Sequence, residues 1–260
     1  MKDFVVSHFK VSGITGAYGG LGYSISKKFA SAGFSLALIG RDIRKLEYLR
    51  SVTNKLSSNM KVVPVKCDVR NGTDIRNAVS LIEKSFGKID ILINNAGIRI
   101  EASAENMNLS EWKDVIDTNL TGTFLMTKYA LPLLKKAKNA VIINISSVRG
   151  LYGGKNLSAY SASKFGVIGF SQSLAEELKY NGIKVYSICP AAMDTEMIKN
   201  VKHNIPQEKL IQPDKMADII YNIATNSKEP TRTTFTMIGR QTEILKKIEE
   251  RKNYKIIQWE

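Results

Sequence analysis

The chain has 260 residues, 43% hydrophobic and 24% charged, with 38 Lys and Arg against 24 Asp and Glu and a formal net charge of +14. That length and balance suit a soluble α/β domain with a sizeable core; no apolar run is long enough to span a bilayer, and the N-terminus lacks a small-residue cleavage site. The basic excess is scattered and mostly N-terminal, 16 Lys/Arg against 7 Asp/Glu in residues 1–100, with no dense tract or motif for nucleic acid.

Strand-like apolar runs alternate with helix-like segments along the chain. Residues 9–15 read as a strand, followed by a Gly-rich turn and a helix over about 21–32. A strand over 35–40, a helix near 42–57, a strand over 61–67 and a helix near 73–86 follow. A strand over 89–97 then precedes a long helical region at 110–137. Next come a strand over 140–147, a helix over about 158–180 and a strand over 183–190. Residues 191–213 are less regular and predict a loop or short helices over a site. A helix over 214–225 and a strand over 233–238 follow, and the charged tail predicts an amphipathic surface helix over about 241–255. The β-α alternation with buried-type strands predicts a parallel sheet covered by helices on both faces. No linker or repeat divides the chain, so residues 1–260 read as one domain. The two cysteines, Cys67 and Cys189, sit in apolar runs and read as buried free thiols of a reducing, cytoplasmic setting.

Three sequence features carry chemistry. The run Thr15–Gly22 follows the first strand, and its glycines Gly16, Gly20 and Gly22 permit a tight turn and close approach of backbone to a diphosphate. Between a first strand and a first helix this is a dinucleotide signal. At the end of the second strand, an acid would bond the adenosine ribose 2′-OH and repel a 2′-phosphate. Here Gly40 is followed by Arg41, which favours NADP(H) over NAD(H), and Asp42 next to it works against that reading. Third, Tyr160 and Lys164 stand four residues apart on the helix over 158–180, hence on one face. An ammonium beside a phenol, whose unperturbed pKa is near 10, favours the phenolate and tunes it for proton exchange with an alcohol or ketone.

With the Gly motif, Asn94-Asn95-Ala96-Gly97, Ser147 and Tyr160/Lys164, residues 9–200 resemble the short-chain dehydrogenase/reductase family. The resemblance implies a doubly wound (Rossmann) sheet of about seven strands with helices on both faces. It implies that Gly16, Gly20, Leu21 and Gly22 hold the diphosphate, with Tyr18 of the same turn in the cofactor-binding set. Asp68, followed by Val69, would bond the adenine amino group, and Asn95, Ala96 and Gly97 would line the adenosine side. Pro190 to Thr195 would pack against the nicotinamide, with Thr195 near the carboxamide. Asn119, Ser147, Tyr160 and Lys164 match the catalytic set, Ser147 standing thirteen residues before Tyr160. Tyr160 and Lys164 also touch the cofactor, and Asn119 would help hold a water linking Lys164 to solvent. Three departures stand out: Ala191 replaces the usual Gly after the proline, Gly19 replaces a basic residue common in NADP-preferring members, and no Gly-Gly ending is visible.

The expected activity is hydride transfer between nicotinamide and a carbonyl or secondary alcohol, with a 3-oxoacyl-carrier reductase as one candidate. The alternative from a different class is a non-catalytic NADP(H)-binding sensor or scaffold, against which an intact Ser147, Tyr160 and Lys164 argue. A nucleotide-sugar epimerase of the longer branch has different Gly spacing and needs more chain than 260 residues. Arg99, Arg149 and Lys155 flank the predicted pocket and read as surface charge, with receipt of an anionic substrate or an acidic acyl carrier as the other reading. A small-molecule substrate, a homodimer or homotetramer, no metal, no nucleic acid and no membrane complete the expectations.

Overall fold

Alternate residues of each strand feed opposite faces of one sheet, as the two-residue period of a strand requires. In the computed structural model, which describes residues 9–199, 205–238 and 254–258, the strands are β1 (Val11–Thr15), β2 (Ser35–Gly40), β3 (Val62–Lys66), β4 (Ile91–Asn94), β5 (Val141–Ile145), β6 (Lys184–Pro190), β7 (Thr234–Ile238) and β8 (Tyr254–Gln258). They form a parallel sheet in the order β3-β2-β1-β4-β5-β6-β7-β8. Helices α1 (Gly20–Ser31), α2 (Ile43–Thr53) and α8 (Pro213–Asn226) cover one face, where Leu36, Leu38, Ile91, Ile93, Val141 and Ile143 are buried. Helices α3 (Gly72–Phe86), α5 (Gly122–Lys135) and α6 (Ser158–Leu178) cover the other, over Ala37, Ile39, Leu92, Ile142 and Val185. Fully burying one such Leu or Ile side chain contributes about 1.5–3 kcal/mol.

The doubly wound sheet is as expected, with β8 added at its edge beside β7. The predicted tail helix over 241–255 is corrected where it can be compared. Its last two residues, Tyr254 and Lys255, lie in β8, and 241–253 fall outside the described residues. The run Tyr254-Lys255-Ile256-Ile257-Gln258 is rich in β-favouring residues and the β7 edge offers unpaired backbone, so strand pairing prevails over helical periodicity. The region 191–213 holds the short helix α7 (Glu196–Lys199) and a 3₁₀ turn at Gln207–Lys209, tied by a bridge between Met193 and Ile211.

The chain reverses direction of winding at β1, which lies between β2 and β4. Crevices outside the carboxyl ends of strands at such a switch point are where open α/β sheets bind ligands. Between β4 and α5 the chain passes through α4 (Leu109–Ile116) and a π-helical turn, Asp117–Thr121, which runs directly into α5.

Candidate active site

At the end of β1 the chain turns sharply at Gly16, whose φ of +63° is left-handed. A Cβ at Gly16 would lie 3.0 Å from the Ala96 Cα, and one at Gly22 would lie 2.1 Å from the Gly16 carbonyl oxygen. Side chains are excluded here so that the turn and the first turn of α1 can pack onto each other and onto β4. α1 has no side-chain N-cap and no acid in its first turn, so free N–H groups and the positive end of its dipole face the cleft. A cradle of this kind fits a diphosphate. At Gly20 a Cβ would meet Thr195 Cγ2 at 2.6 Å, so the loop after β6 lies directly on the cradle.

A cleft of about 290 Å³ runs from this turn to Tyr160. Of the predicted residues, Gly16, Tyr18, Gly20, Leu21, Arg41, Asp68, Val69, Asn95, Ala96, Gly97, Tyr160, Lys164 and Thr195 line it. Gly22, Asn119, Ser147 and Pro190 do not line it and lie behind or beside it. Ser146, Glu196 and Met197 line it without having been singled out from the sequence, and Met193 of the predicted Pro190–Thr195 segment lines it too.

Two of the acids near the adenosine end are already engaged. Asp42 caps α2, its Oδ1 accepting from the Arg44 and Lys45 amides at 3.0 and 3.3 Å, so the acid beside Arg41 is turned to the helix. Asp68 is gripped by the Arg70 guanidinium, with Nη2 to Oδ2 at 2.7 Å and Nε to both oxygens at 3.1 Å. Those bonds, with a weaker contribution from the Arg41 charge, hold its pKa below the usual carboxylate value. The Asp68 carboxylate expected to bond adenine thus already accepts from Arg70 on both oxygens. Arg41 is exposed at the edge of the cleft.

At the other end, Asn119 sits in the π-helical turn, buried. Its Oδ1 accepts from the Ile98 amide at 2.8 Å, and its Nδ2 donates to the Ile98 carbonyl at 2.9 Å and to Ser163 Oγ at 3.0 Å. With both amide hydrogens donated and the oxygen accepting one bond, the side chain clamps the segment after β4 to α6. π-turns inside α-helices recur at functional sites.

Tyr160, Lys164 and Ser147 are all buried. Lys164 Nζ donates to the Ile145 carbonyl at 2.8 Å and lies 5.7 Å from the Tyr160 ring centroid. Burial lowers the Lys164 pKa to about 8. Burial also raises the Tyr160 pKa, opposed by a hydrogen bond with Ser147 and by the charges of Arg99 and Arg149. The Ser147 hydrogen bond is the largest of these opposing influences, followed by the two arginine charges. Ser147 Oγ accepts from the Arg149 amide at 3.1 Å, leaving its O–H to donate. Ser146 instead donates to the Lys164 carbonyl at 2.8 Å, which ties it into α6. Cys67 and Cys189 are buried and free, both pushed up to about 12 by burial. Among the described residues no group of His, Cys, Asp and Glu could hold a metal, and no helix is long and apolar enough to cross a membrane.

Residues 10–206 match the family model described as short chain dehydrogenase. The chain is 34% identical over 239 residues to a 3-oxoacyl-[acyl-carrier-protein] reductase of Thermotoga maritima, covering 88% of this chain and 95% of that protein. It is 32% identical over 209 residues to an uncharacterized oxidoreductase of Bacillus subtilis, covering 80% of each. Among solved structures it superposes on levodione reductase with a TM-score of 0.82 and 25% identity, covering 87% of this chain and 95% of that one. A 3-ketoacyl-(acyl-carrier-protein) reductase from Brucella melitensis complexed with NADH gives a TM-score of 0.79 at 29% identity, covering 87% and 96%. An actinorhodin polyketide ketoreductase with NADPH gives 0.79 at 27%, covering 88% and 95%.

Proposed function

Because the chain belongs to the short-chain dehydrogenase family and is an oxidoreductase acting on carbonyl or alcohol groups, we propose that it is an NADP(H)-dependent carbonyl reductase working through Ser147, Tyr160 and Lys164. The observation that carries this reading is the cleft itself, a glycine cradle at one end and the buried Tyr160/Lys164 pair at the other.

The nicotinamide, when bound, supplies the hydride for reduction or accepts it in the reverse direction. The chain's own residues handle the oxygen. The raised pKa of Tyr160 keeps the phenol protonated at neutral pH, so it donates its proton to the oxygen that gains charge. The Ser147 hydroxyl, held by the Arg149 amide, bonds the same oxygen and orients it. Lys164 would hold the cofactor ribose and return a proton to the Tyr160 phenolate, itself regaining one from solvent through a water; Asn119, by clamping Ile98 to α6, fixes the cleft wall. Substituting Tyr160→Phe removes the transferable proton while keeping the ring. The expected result is a loss of about 10²–10⁴-fold in kcat, with NADPH still bound by fluorescence titration. Full turnover in that variant would overturn the assignment.

The choice of NADP(H) rests on Arg41 at the cleft edge and on Asp42 being committed to the α2 cap. Arg41→Asp is expected to lower the NADPH/NADH ratio of kcat/KM by about 10–100-fold, from the loss of one charge-assisted contact and the gain of a repulsion. An unchanged ratio would remove Arg41 from the cofactor set. The likeness to 3-oxoacyl carrier-protein reductases supports a carrier-bound substrate as a second reading. A homodimer or homotetramer through α5 and α6 is also proposed, because Phe124 and Phe165 are each 42% exposed there.

A further inference from the structure

Two arginines that the sequence suggested were surface charge are half-buried beside the proposed proton donor. Arg99 follows β4 and Arg149 follows β5, and these are neighbouring strands. Their two loops are tied together further out by a bridge between Ala102 and Leu157 and by the Ala102 amide donating to the Asn156 carbonyl at 3.1 Å. Tyr160, at the start of α6, packs with Leu157 of one loop and Ile98 and Ile100 of the other. Arg99 is thereby brought against the Tyr160 ring and Arg149 beside Ser147, both outside the cleft that opens from the glycine turn.

Each arginine is held. The Arg99 guanidinium carbon lies 5.9 Å from the Tyr160 ring centroid. One of its nitrogens pairs with Glu101, while Nε is buried without a hydrogen-bond partner. Arg149 lies 4.9 Å over the Tyr152 ring and donates from Nη1 to the Gly153 carbonyl at 3.1 Å. A Cβ at Gly154 would stand 3.0 Å from its guanidinium carbon, so the glycine leaves the room this placement needs. Among the described residues Arg149 has no acidic partner. Two cations against the single carboxylate of Glu101 leave positive charge unbalanced beside Tyr160, and charge-assisted hydrogen bonds to a ligand anion would offset it.

We propose that Arg99 and Arg149 select a substrate that carries a free carboxylate close to its carbonyl, a small oxo acid. A thioester-linked oxoacyl group is neutral at that position and leaves the Arg149 guanidinium without a carboxylate acceptor. The inference rests on the carbonyl-reductase reading and narrows it to a substrate class. The carboxylate accepts from the Arg149 guanidinium and from the Arg99 nitrogens that Glu101 leaves free, and the ketone oxygen of the substrate meets Ser147 and Tyr160.

The test compares matched pairs on the wild-type protein with NADPH: 2-oxobutanoate, 3-oxobutanoate and 4-oxopentanoate, each against its methyl ester, with cyclohexanone as an unrelated neutral ketone. The expected result is that at least one acid exceeds its ester by about 10–100-fold in kcat/KM, the range set by one or two charge-assisted hydrogen bonds. In Arg99→Met and in Arg149→Met that acid-to-ester ratio falls about tenfold or more, mainly through KM, whereas Arg99→Lys keeps part of it. Esters or cyclohexanone reduced as well as the acids would overturn the oxo-acid inference and leave the reductase reading standing. No NADPH oxidation with any of the seven compounds would overturn the oxo-acid inference, and a failure to bind NADPH by fluorescence titration as well would overturn the reductase reading. The wild-type comparison decides the matter even where an arginine variant fails to fold.

Discussion

Burial acts in the same direction on Tyr160 and Lys164, toward the neutral form of each, and so moves their pKa values from the ordinary ones in opposite senses, up for the phenol and down for the ammonium. For Lys164 the folded value is about 8 against an ordinary 10.5. Below pH 8 both folded and unfolded chains hold the proton, and the full cost of burying the ammonium is present. Between pH 8 and 10.5 the folded protein has released a proton that the unfolded chain keeps, so stability rises with pH across that window. Lys164→Met has no such proton. The melting temperature of the wild type should therefore gain on that of the variant as pH is raised from 8 to 10, by several degrees. Parallel melts cancel most of the alkaline contributions of Cys67, Cys189 and Tyr160, which have the opposite sign. A difference that stays flat with pH would mean Lys164 is not buried as a charge. The pair itself was legible from the sequence because a four-residue helical spacing fixes a shared face. What acts on the phenol was not legible, since Arg99 and Arg149 owe their burial to Tyr152, Gly154 and Glu101 in loops whose packing no periodicity encodes.

At the scale of elements, legibility followed the same division. The helices and strands around the cleft were readable because their apolar periods are local. The glycine turn was readable because only residues without a Cβ fit beside Ala96 and the Gly16 carbonyl. The π-helical turn at Asp117–Thr121 was not, because nothing in the sequence distinguishes it from the helix it interrupts. It is stabilised by tertiary bonds: Thr123 Oγ1 donates to the Asn119 carbonyl at 2.8 Å, and the Asn119 amide spans to Ile98 and Ser163. Asn119→Ala leaves the Ile98 amide and carbonyl without these partners. The expected loss is about 1–3 kcal/mol, read as a lower urea midpoint at unchanged m-value, together with weaker cofactor binding because Ile98 lines the cleft. A variant with the wild-type midpoint would show that the clamp is dispensable. Tyr254 and Lys255 mark the opposite limit: their charged surroundings in the sequence suggested a helix, and an available sheet edge decided otherwise.

At the scale of the whole molecule, the sheet is closed off on both faces by helices, so the exposed apolar surface must be accounted for on those helices' outer sides. On α6 the exposed positions Ala162, Phe165 and Gly169 recur at helical spacing, with Glu176 the first exposed charge beyond them. On α5, Phe124 is likewise exposed and packs edge-on against Phe170 of α6 at 6.0 Å. Small residues beside two phenylalanines allow a partner helix to approach closely and bury them. A surface with a net charge of +14 would repel a second copy over most of its area, which makes an uncharged stripe the place where self-association costs least. The wild type should therefore run by light scattering at twice or four times its 28.9 kDa chain mass. Phe165→Glu, alone or with Phe124→Glu, should shift it toward a single chain, because each carboxylate would be desolvated in the contact. A wild type that is monomeric at micromolar concentration would refute this interface. Because α6 also carries Tyr160 and Lys164, a dissociated variant should lose activity in proportion to its loss of thermal stability, with the acid-to-ester preference set by Arg99 and Arg149 retained.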